Sequence, residues 1–143
     1  MGPSNADEHI EELAYEAGKL LGQAGCMVYT GGLAGVMEAA CRGAREAGAT
    51  TVGVLPGADA SEANRWVQIP IATGMGEARN LILIRSVDAV LAIGKGYGTL
   101  SEIGFTLRVG KPLAVLESWD EVSSEAIAAR SPEEAVRLLS GTL

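Results

Sequence analysis

Apolar residues in this chain come in two rhythms that alternate along its length, and that alternation leaves few folds open. Positions such as Ile10, Leu13, Ala14, Ala17, Leu20, Leu21 and Ala24 recur at helical spacing, whereas VGVL before Pro56 and VLAI before Gly94 are apolar or glycine at every position. A strand with one wet face alternates in polarity. One that is apolar throughout is covered on both faces, as in a parallel sheet flanked by helices. The strands are expected at CMVYT (26–30), TVGVLP (51–56), WVQIPI (66–71), DAVLAI (88–93) and PLAVLE (112–117). Helices are expected from Asn5, through 36–47, over 77–86, from Thr99 to Val109 and from Pro132. Asn5 with Glu8 and Thr99 with Glu102 have the spacing of capping boxes, and Ser131, Pro132 and Glu134 mark the last helix start. The reading is α/β: a three-layer sandwich around a mainly parallel sheet, in one domain over residues 1–143.

Composition narrows the core and the partners. Hydrophobic residues make up 48% of the chain but aromatic ones only 4%, so the core is built from Ala, Val, Ile and Leu. A net charge of −7 without a basic cluster argues against nucleic acid as a partner. No apolar run reaches the ~20 residues that span a bilayer. The start, MGPSNADEHI, lacks the basic and apolar regions of a signal peptide, so the expected location is the cytoplasm. Cys26 and Cys41 do not form a disulfide framework and read as free buried thiols. His9, among Glu8, Glu11 and Glu12, reads as a solvated surface residue, and no metal site is expected.

Two strand ends run through glycines straight into helices: TGGLAG (30–35) and GKGYGT (94–99). Ligands of such sheets sit at the carboxyl ends of the strands. Glycine lets the backbone approach a ligand closely, and the following helix offers unpaired N–H groups and the positive end of its dipole. Gly31, Gly32, Gly35, Gly94, Lys95, Gly96, Tyr97, Gly98 and Thr99 are therefore the expected contacts of a phosphate or similar anion. The alternative is a pair of tight turns that bind nothing. Lys95 precedes the last glycine, so the second turn is not a Walker motif. Tyr97 either stacks on a ring or covers the turn, and Glu38 reads as a helix-terminus charge.

Four stretches together carry a family resemblance: GGLAGVMEAACRGA (31–44), EANRW (62–66), ATGMGEARN (72–80) and IGKGYGTLSEI (93–103). The chain resembles small bacterial proteins similar to the molybdenum-cofactor carrier protein. These form a branch of the wider Rossmann-like family of the Lonely Guy cytokinin-activating enzymes, often labelled lysine decarboxylases. The resemblance runs from Gly2 to about Glu117. The wider signature is PGGxGTxxE; here its proline is replaced and Lys95 stands for a glycine, while Gly94, Gly96, Gly98, Thr99 and Glu102 match. In the enzymes' MHxRK stretch this chain keeps Arg79, lacks the histidine and has Asn80 for the lysine.

The resemblance implies two functions. One is a carrier or sensor that binds a nucleotide-like or pterin phosphate, with molybdopterin or a nucleotide as ligand and no further cofactor required. The other is a phosphoribohydrolase, not a lysine decarboxylase, that cuts the N-glycosidic bond of a nucleoside 5′-monophosphate. In the second, Glu102 and Arg79 are the candidate catalytic residues. A carboxylate suits an oxocarbenium-like sugar, and a guanidinium grips a phosphate or ribose. Against that, Glu102 also fits a cap by its spacing from Thr99. Binding is preferred over catalysis because both motifs have drifted.

Two further expectations concern assembly and completeness. Leu81, Ile82, Leu83 and Ile84 cover most of a helix circumference, which points to a homodimer or higher oligomer through 78–87. A sheet of this class normally opens with a strand before its first glycine turn. Here that strand is missing, and native residues before Gly2 are expected, or else a sheet that closes differently.

Overall fold

The computed structural model describes residues 1–142. Helix α1 (Glu8–Gln23) leads to strand β1 (Val28–Thr30), α2 (Val36–Glu46), β2 (Thr51–Leu55) and β3 (Ile69–Ala72). Then come α3 (Arg79–Arg85), β4 (Val90–Ile93), α4 (Tyr97–Val109), β5 (Leu113–Leu116), β6 (Ile127–Ala129) and α5 (Pro132–Ser140). All strand pairs are parallel and fall into two sheets, β1-β2-β3 and β4-β5-β6. This is the expected Rossmann-like α/β architecture. Among the described residues no ladder joins β1 to β4.

Strand parity shows the three layers. Val90 and Ala92 pack with Ile103 of α4, while Leu91 and Ile93 pack with Ala14 and Ala17 of α1. Alternate residues of β4 thus serve opposite faces. Helices α1, α2 and α5 cover one face, and α3 and α4 the other. Val52, Val54, Leu55, Leu113, Val115 and Leu116 are all nearly inaccessible, the reason the strands read as unbroken apolar runs.

Scarcity of aromatic residues has a direct structural counterpart. Helices α1 and α2 cross through small side chains, with Ala14, Ala17 and Gly18 facing Ala39, Gly43 and Ala44. A Cβ on Gly18 would lie 2.1 Å from the Ala40 carbonyl oxygen, and one on Gly43 2.0 Å from that of Tyr15. The backbones touch, so nothing larger than glycine fits at those two points. Tyr15 closes the outer side, with its hydroxyl bonded to Glu46 and its ring under Arg42 at 4.5 Å.

Local signals were resolved differently from expectation in three places. The cap of α1 is Asp7, whose Oδ1 accepts from the Ile10 N–H at 2.9 Å, and not Asn5. Helix α4 begins at Tyr97 behind an extended Gly96, so Thr99 and Glu102 do not form a capping box and Glu102 lies inside the helix. Strand β6 was not expected; its three residues are only half-covered. The last helix start is as expected: Ser131 Oγ accepts from the Glu134 N–H at 3.2 Å, and Glu134 reaches back to the Arg130 N–H.

Candidate functional site

Both glycine turns stand at the carboxyl edge of their strands. The first is pinned from three sides. Thr30 Oγ1 accepts from the Gly32 N–H at 3.1 Å. Asn64 donates its N–H to the Gly32 carbonyl and its side-chain Nδ2 to the Leu33 carbonyl, both at 2.8 Å. Pro3 and Ser4 lie against Gly35, and the Pro3 carbonyl takes the Val36 N–H at 3.1 Å, using the first donor of α2. Asn64 belongs to the EANRW stretch. Its clamping role is invisible in the sequence because nothing in a loop says which carbonyls it will meet.

The second turn is held by the segment beyond β5. Gly94 takes φ +76°, a left-handed conformation that favours glycine, and donates to the Leu116 carbonyl. Trp119 Nε1 donates to the Gly96 carbonyl at 3.2 Å. Helix α4 then starts with no side-chain cap, leaving the N–H groups of its first turn directed outward. Lys95 is turned aside: its Nζ lies 3.3 Å from Glu121 and 5.1 Å from the Trp119 ring. Tyr97 is 86% exposed beside the turn, with its ring free in solvent. No atom lies near the Cα of Gly98 on its open side.

Arg79 is drawn in from the start of α3. It is only 7% exposed, and its Nη1 would lie 2.2 Å from a Cβ on Gly31, so the guanidinium rests directly on the first glycine turn. That is why position 31 has no side chain. Arg79 Nε and Nη1 have no hydrogen-bond partner, and neither do Asn80 Oδ1, Thr99 Oγ1 and Ser118 Oγ. These five buried polar atoms sit on the segments that follow β3, β4 and β5. Buried polar atoms are nearly always paired, and each unpaired one costs about 1–3 kcal/mol. All five belong to segments that follow strands, at the carboxyl edge of the parallel sheet, the edge at which ligands of such sheets sit. Ser118 was not expected among them, since a single serine after a strand carries no pattern.

Glu102 is 9% exposed and lies within the field of Arg79, although among the described residues no ion pair joins them. Burial pushes its carboxyl above the ordinary value, opposed by the Met1 amine and by Arg79. Burial likewise lowers the Arg79 guanidinium, and Glu102 opposes it. A raised carboxyl pKa means that the folded protein holds the proton more tightly than the unfolded chain. This group's contribution is therefore complete below about pH 4.5 and is lost as pH rises through the folded value. Glu102→Gln, which mimics the protonated form, is expected to match the wild type in acid and to exceed its stability at neutral pH. Thermal midpoints across a pH series check this.

Elsewhere the structure answers the remaining expectations. His9 is exposed but not solitary: its Nε2 lies 2.8 Å from Glu117, and that bond raises the imidazole pKa. Glu117 has φ 47°, the one non-glycine in the left-handed region among the described residues, at the carboxyl end of β5. Glu38 lines an acidic depression with Glu8, Glu11, Glu12 and Arg42, which Gly35 at the end of the first glycine turn also borders. Cys41 is buried against Thr30, and Cys26 is half-buried. Within the four-residue apolar run, Leu83 and Ile84 are buried within the chain, Leu81 is half-buried and Ile82 is 38% exposed. No helix among the described residues is long and apolar enough to cross a membrane.

Comparison with known proteins places this arrangement. The molybdenum cofactor binding protein of Rippkaea orientalis superposes with a TM-score of 0.94 at 37% identity, over 99% of this chain and 93% of that one. The Moco carrier protein of Chlamydomonas reinhardtii gives 0.88 at 37% identity, over 100% of this chain and 96% of that one. A protein of Archaeoglobus fulgidus with no assigned function is 40% identical over 136 residues, 95% of this chain and 89% of its own length. DNA processing protein A of Helicobacter pylori, described for its single-stranded DNA binding mode, shares the fold with a TM-score of 0.75 at 15% identity, over 99% of this chain and 79% of that one. That neighbour corrects the exclusion of nucleic acid argued from net charge. The fold does serve a DNA-binding protein, and the charge of a whole chain does not decide what one local surface accepts. The model of the SLOG cluster4 family matches residues 1–140. The chain belongs to the SLOG cluster4 family, in the branch similar to the molybdenum cofactor carrier proteins.

Proposed function

We propose that this protein binds a phosphate-bearing pterin of the molybdenum cofactor type and holds it without breaking a bond in it. The observation that carries the reading is the buried, unpartnered Arg79 beside Gly31, together with the orphan hydroxyls of Thr99 and Ser118. A buried guanidinium with free N–H groups favours a phosphate, whose oxygens accept two of them at once. The uncapped first turn of α4 adds backbone donors from Tyr97, Gly98 and Thr99. Gly98, where an added Cβ would meet nothing within 4 Å, lets such a group come close to the backbone. Exposed Tyr97 is available to lie on the ring system, and Lys95, released from Glu121, lies within the same turn. The pterin is cargo here, and these residues fit its phosphate.

One observation favours the second reading, a nucleoside monophosphate phosphoribohydrolase: a buried glutamate within the field of a buried arginine. Stabilising an oxocarbenium-like sugar needs an ionised carboxylate, and burial works against ionisation at Glu102. The same burial suits a binder, since it reduces like-charge repulsion beside an incoming phosphate.

Thermal-shift titration with molybdopterin, AMP and ribose 5-phosphate, run beside chromatography for free adenine, tests the choice. At 100 times Kd a ligand adds roughly 2.7 kcal/mol of stability. The expected result is a large shift with the pterin and no adenine released. Base release from a monophosphate at ordinary enzymatic rates, about 1 per second or more, would establish the hydrolase instead.

A further inference from the structure

Trp119 is held from two sides. Its Nε1 donates to the Gly96 carbonyl at 3.2 Å, and its ring packs against the cluster of Val90, Ala92, Ile103, Leu113 and Val115. Over the same ring stands the Lys95 ammonium, 5.1 Å from the centroid and 3.3 Å from Glu121 Oε1. The Lys95 side chain is 51% exposed, so the ring face beneath it lies toward solvent. Exposed cation–π contacts and exposed ion pairs are both weak. Lys95 therefore covers the indole without being fastened to it.

This cover belongs to the anion turn itself. Lys95 lies between Gly94 and Gly96, just ahead of the uncapped start of α4 at Tyr97. Ser118, with its orphan hydroxyl, is the residue before Trp119. A phosphate at this turn is a stronger partner for an ammonium than the single, solvent-exposed carboxylate of Glu121. Movement of Lys95 toward it leaves the indole face bare beside the phosphate. Tyr97 offers a second ring at the turn, but at 86% exposed it has to be immobilised before it can hold anything, whereas Trp119 is already fixed.

We propose that Trp119 is the platform for the flat heteroaromatic ring of a phosphate-bearing ligand, and that Lys95 is the shutter that uncovers it when the phosphate binds. The inference rests on the phosphate site proposed above and adds what that site selects. A ring without a phosphate has to displace Lys95 by itself, and a phosphate without a ring leaves the bared indole facing water. Phosphorylated heterocycles are therefore preferred over both. Stacking on an indole accepts any π-face, so a pterin and a purine both suit the platform, and the preference lies in ring plus phosphate.

Calorimetric titration with inorganic phosphate, AMP, molybdopterin and phosphate-free pterin tests this. Trp119→Leu is expected to weaken AMP and molybdopterin by at least about tenfold more than it weakens inorganic phosphate. Trp119→Phe, which keeps a ring but loses the bond to Gly96, is expected to restore most of that difference. Lys95→Ala is expected to weaken inorganic phosphate and to strengthen phosphate-free pterin, since the shutter is gone. If Trp119 only props the turn, the leucine and phenylalanine variants will weaken inorganic phosphate and the ring-bearing ligands alike, which would overturn the inference. So would a Lys95→Ala protein that binds pterin no better than the original. Failure of the original protein to bind inorganic phosphate would instead overturn the phosphate site, and this inference with it. A measurement that leaves Trp119 intact covers the case in which its variants unfold. Trp66→Phe makes Trp119 the only indole in the chain. Saturating inorganic phosphate is then expected to shift its emission to longer wavelength, and to cause no shift once Lys95→Ala is added. Unchanged emission in the first protein would contradict the shutter.

Discussion

Replacing Arg79 by methionine is expected to make the unliganded protein more stable and to remove its ligand response. In the unliganded chain Arg79 is 7% exposed, and two of its guanidinium nitrogens lack partners. Each unsatisfied buried group costs about 1–3 kcal/mol, so an unbranched apolar side chain in the same channel is expected to gain about that much. Hydrogen bonds to charged groups are worth about 1.5–3 kcal/mol each, so losing two weakens phosphate binding by at least about 3 kcal/mol, more than a hundredfold. Chemical denaturation of both proteins with and without the pterin measures both effects. The opposite signs matter: a merely structural arginine would lower stability when removed and leave any binding elsewhere intact.

Gly18→Ala is expected to be strongly destabilising and Gly104→Ala mildly stabilising, although both glycines are inside helices. Alanine has the better helix propensity by about 1 kcal/mol, and at exposed Gly104 nothing among the described residues lies within 4 Å of the added Cβ. At Gly18 that Cβ would stand 2.1 Å from a backbone carbonyl oxygen of α2, which no rotamer change relieves. Helices α1 and α2 must then separate, opening the contacts of Ala14, Ala17 and Ala39. Overpacking of a close-packed core costs about 1–3 kcal/mol or more, and with backbone on one side the upper end applies. For a chain of this size about 3 kcal/mol lowers the midpoint by roughly 10 °C. Calorimetry of the two variants reads the sign directly. Because Gly35 caps α2 and leans on Pro3 and Ser4, Gly18→Ala is also expected to loosen the first glycine turn.

The sequence made the layers legible because burial on both faces leaves its mark within each strand: VGVL, VLAI and LAVL contain no charged residue. Strand β6 left no such mark, since three half-covered residues look like a loop. Cap patterns told where helices begin only when one candidate stood alone. Ser131 did, whereas Asn5 competed with Asp7 two residues on, and Thr99-x-x-Glu102 kept its spacing while the helix started earlier at Tyr97. Both glycine turns were legible from strand-glycine-helix order. The approach of Arg79 to Gly31 was not, because it depends on α3 returning across the sheet after β3. Ser118 and Asn64 were invisible for the same reason: their roles are set by which strand ends the topology brings side by side.

The central claim is a position: a phosphate held by Arg79 and the first turn of α4. A crystal structure of the protein with bound molybdopterin tests it most directly. The account predicts phosphate oxygens within about 3 Å of Arg79 nitrogens and of the Thr99 hydroxyl or its neighbouring amides. A pterin phosphate bound elsewhere, with Arg79 still unpartnered beside Gly31, would contradict it.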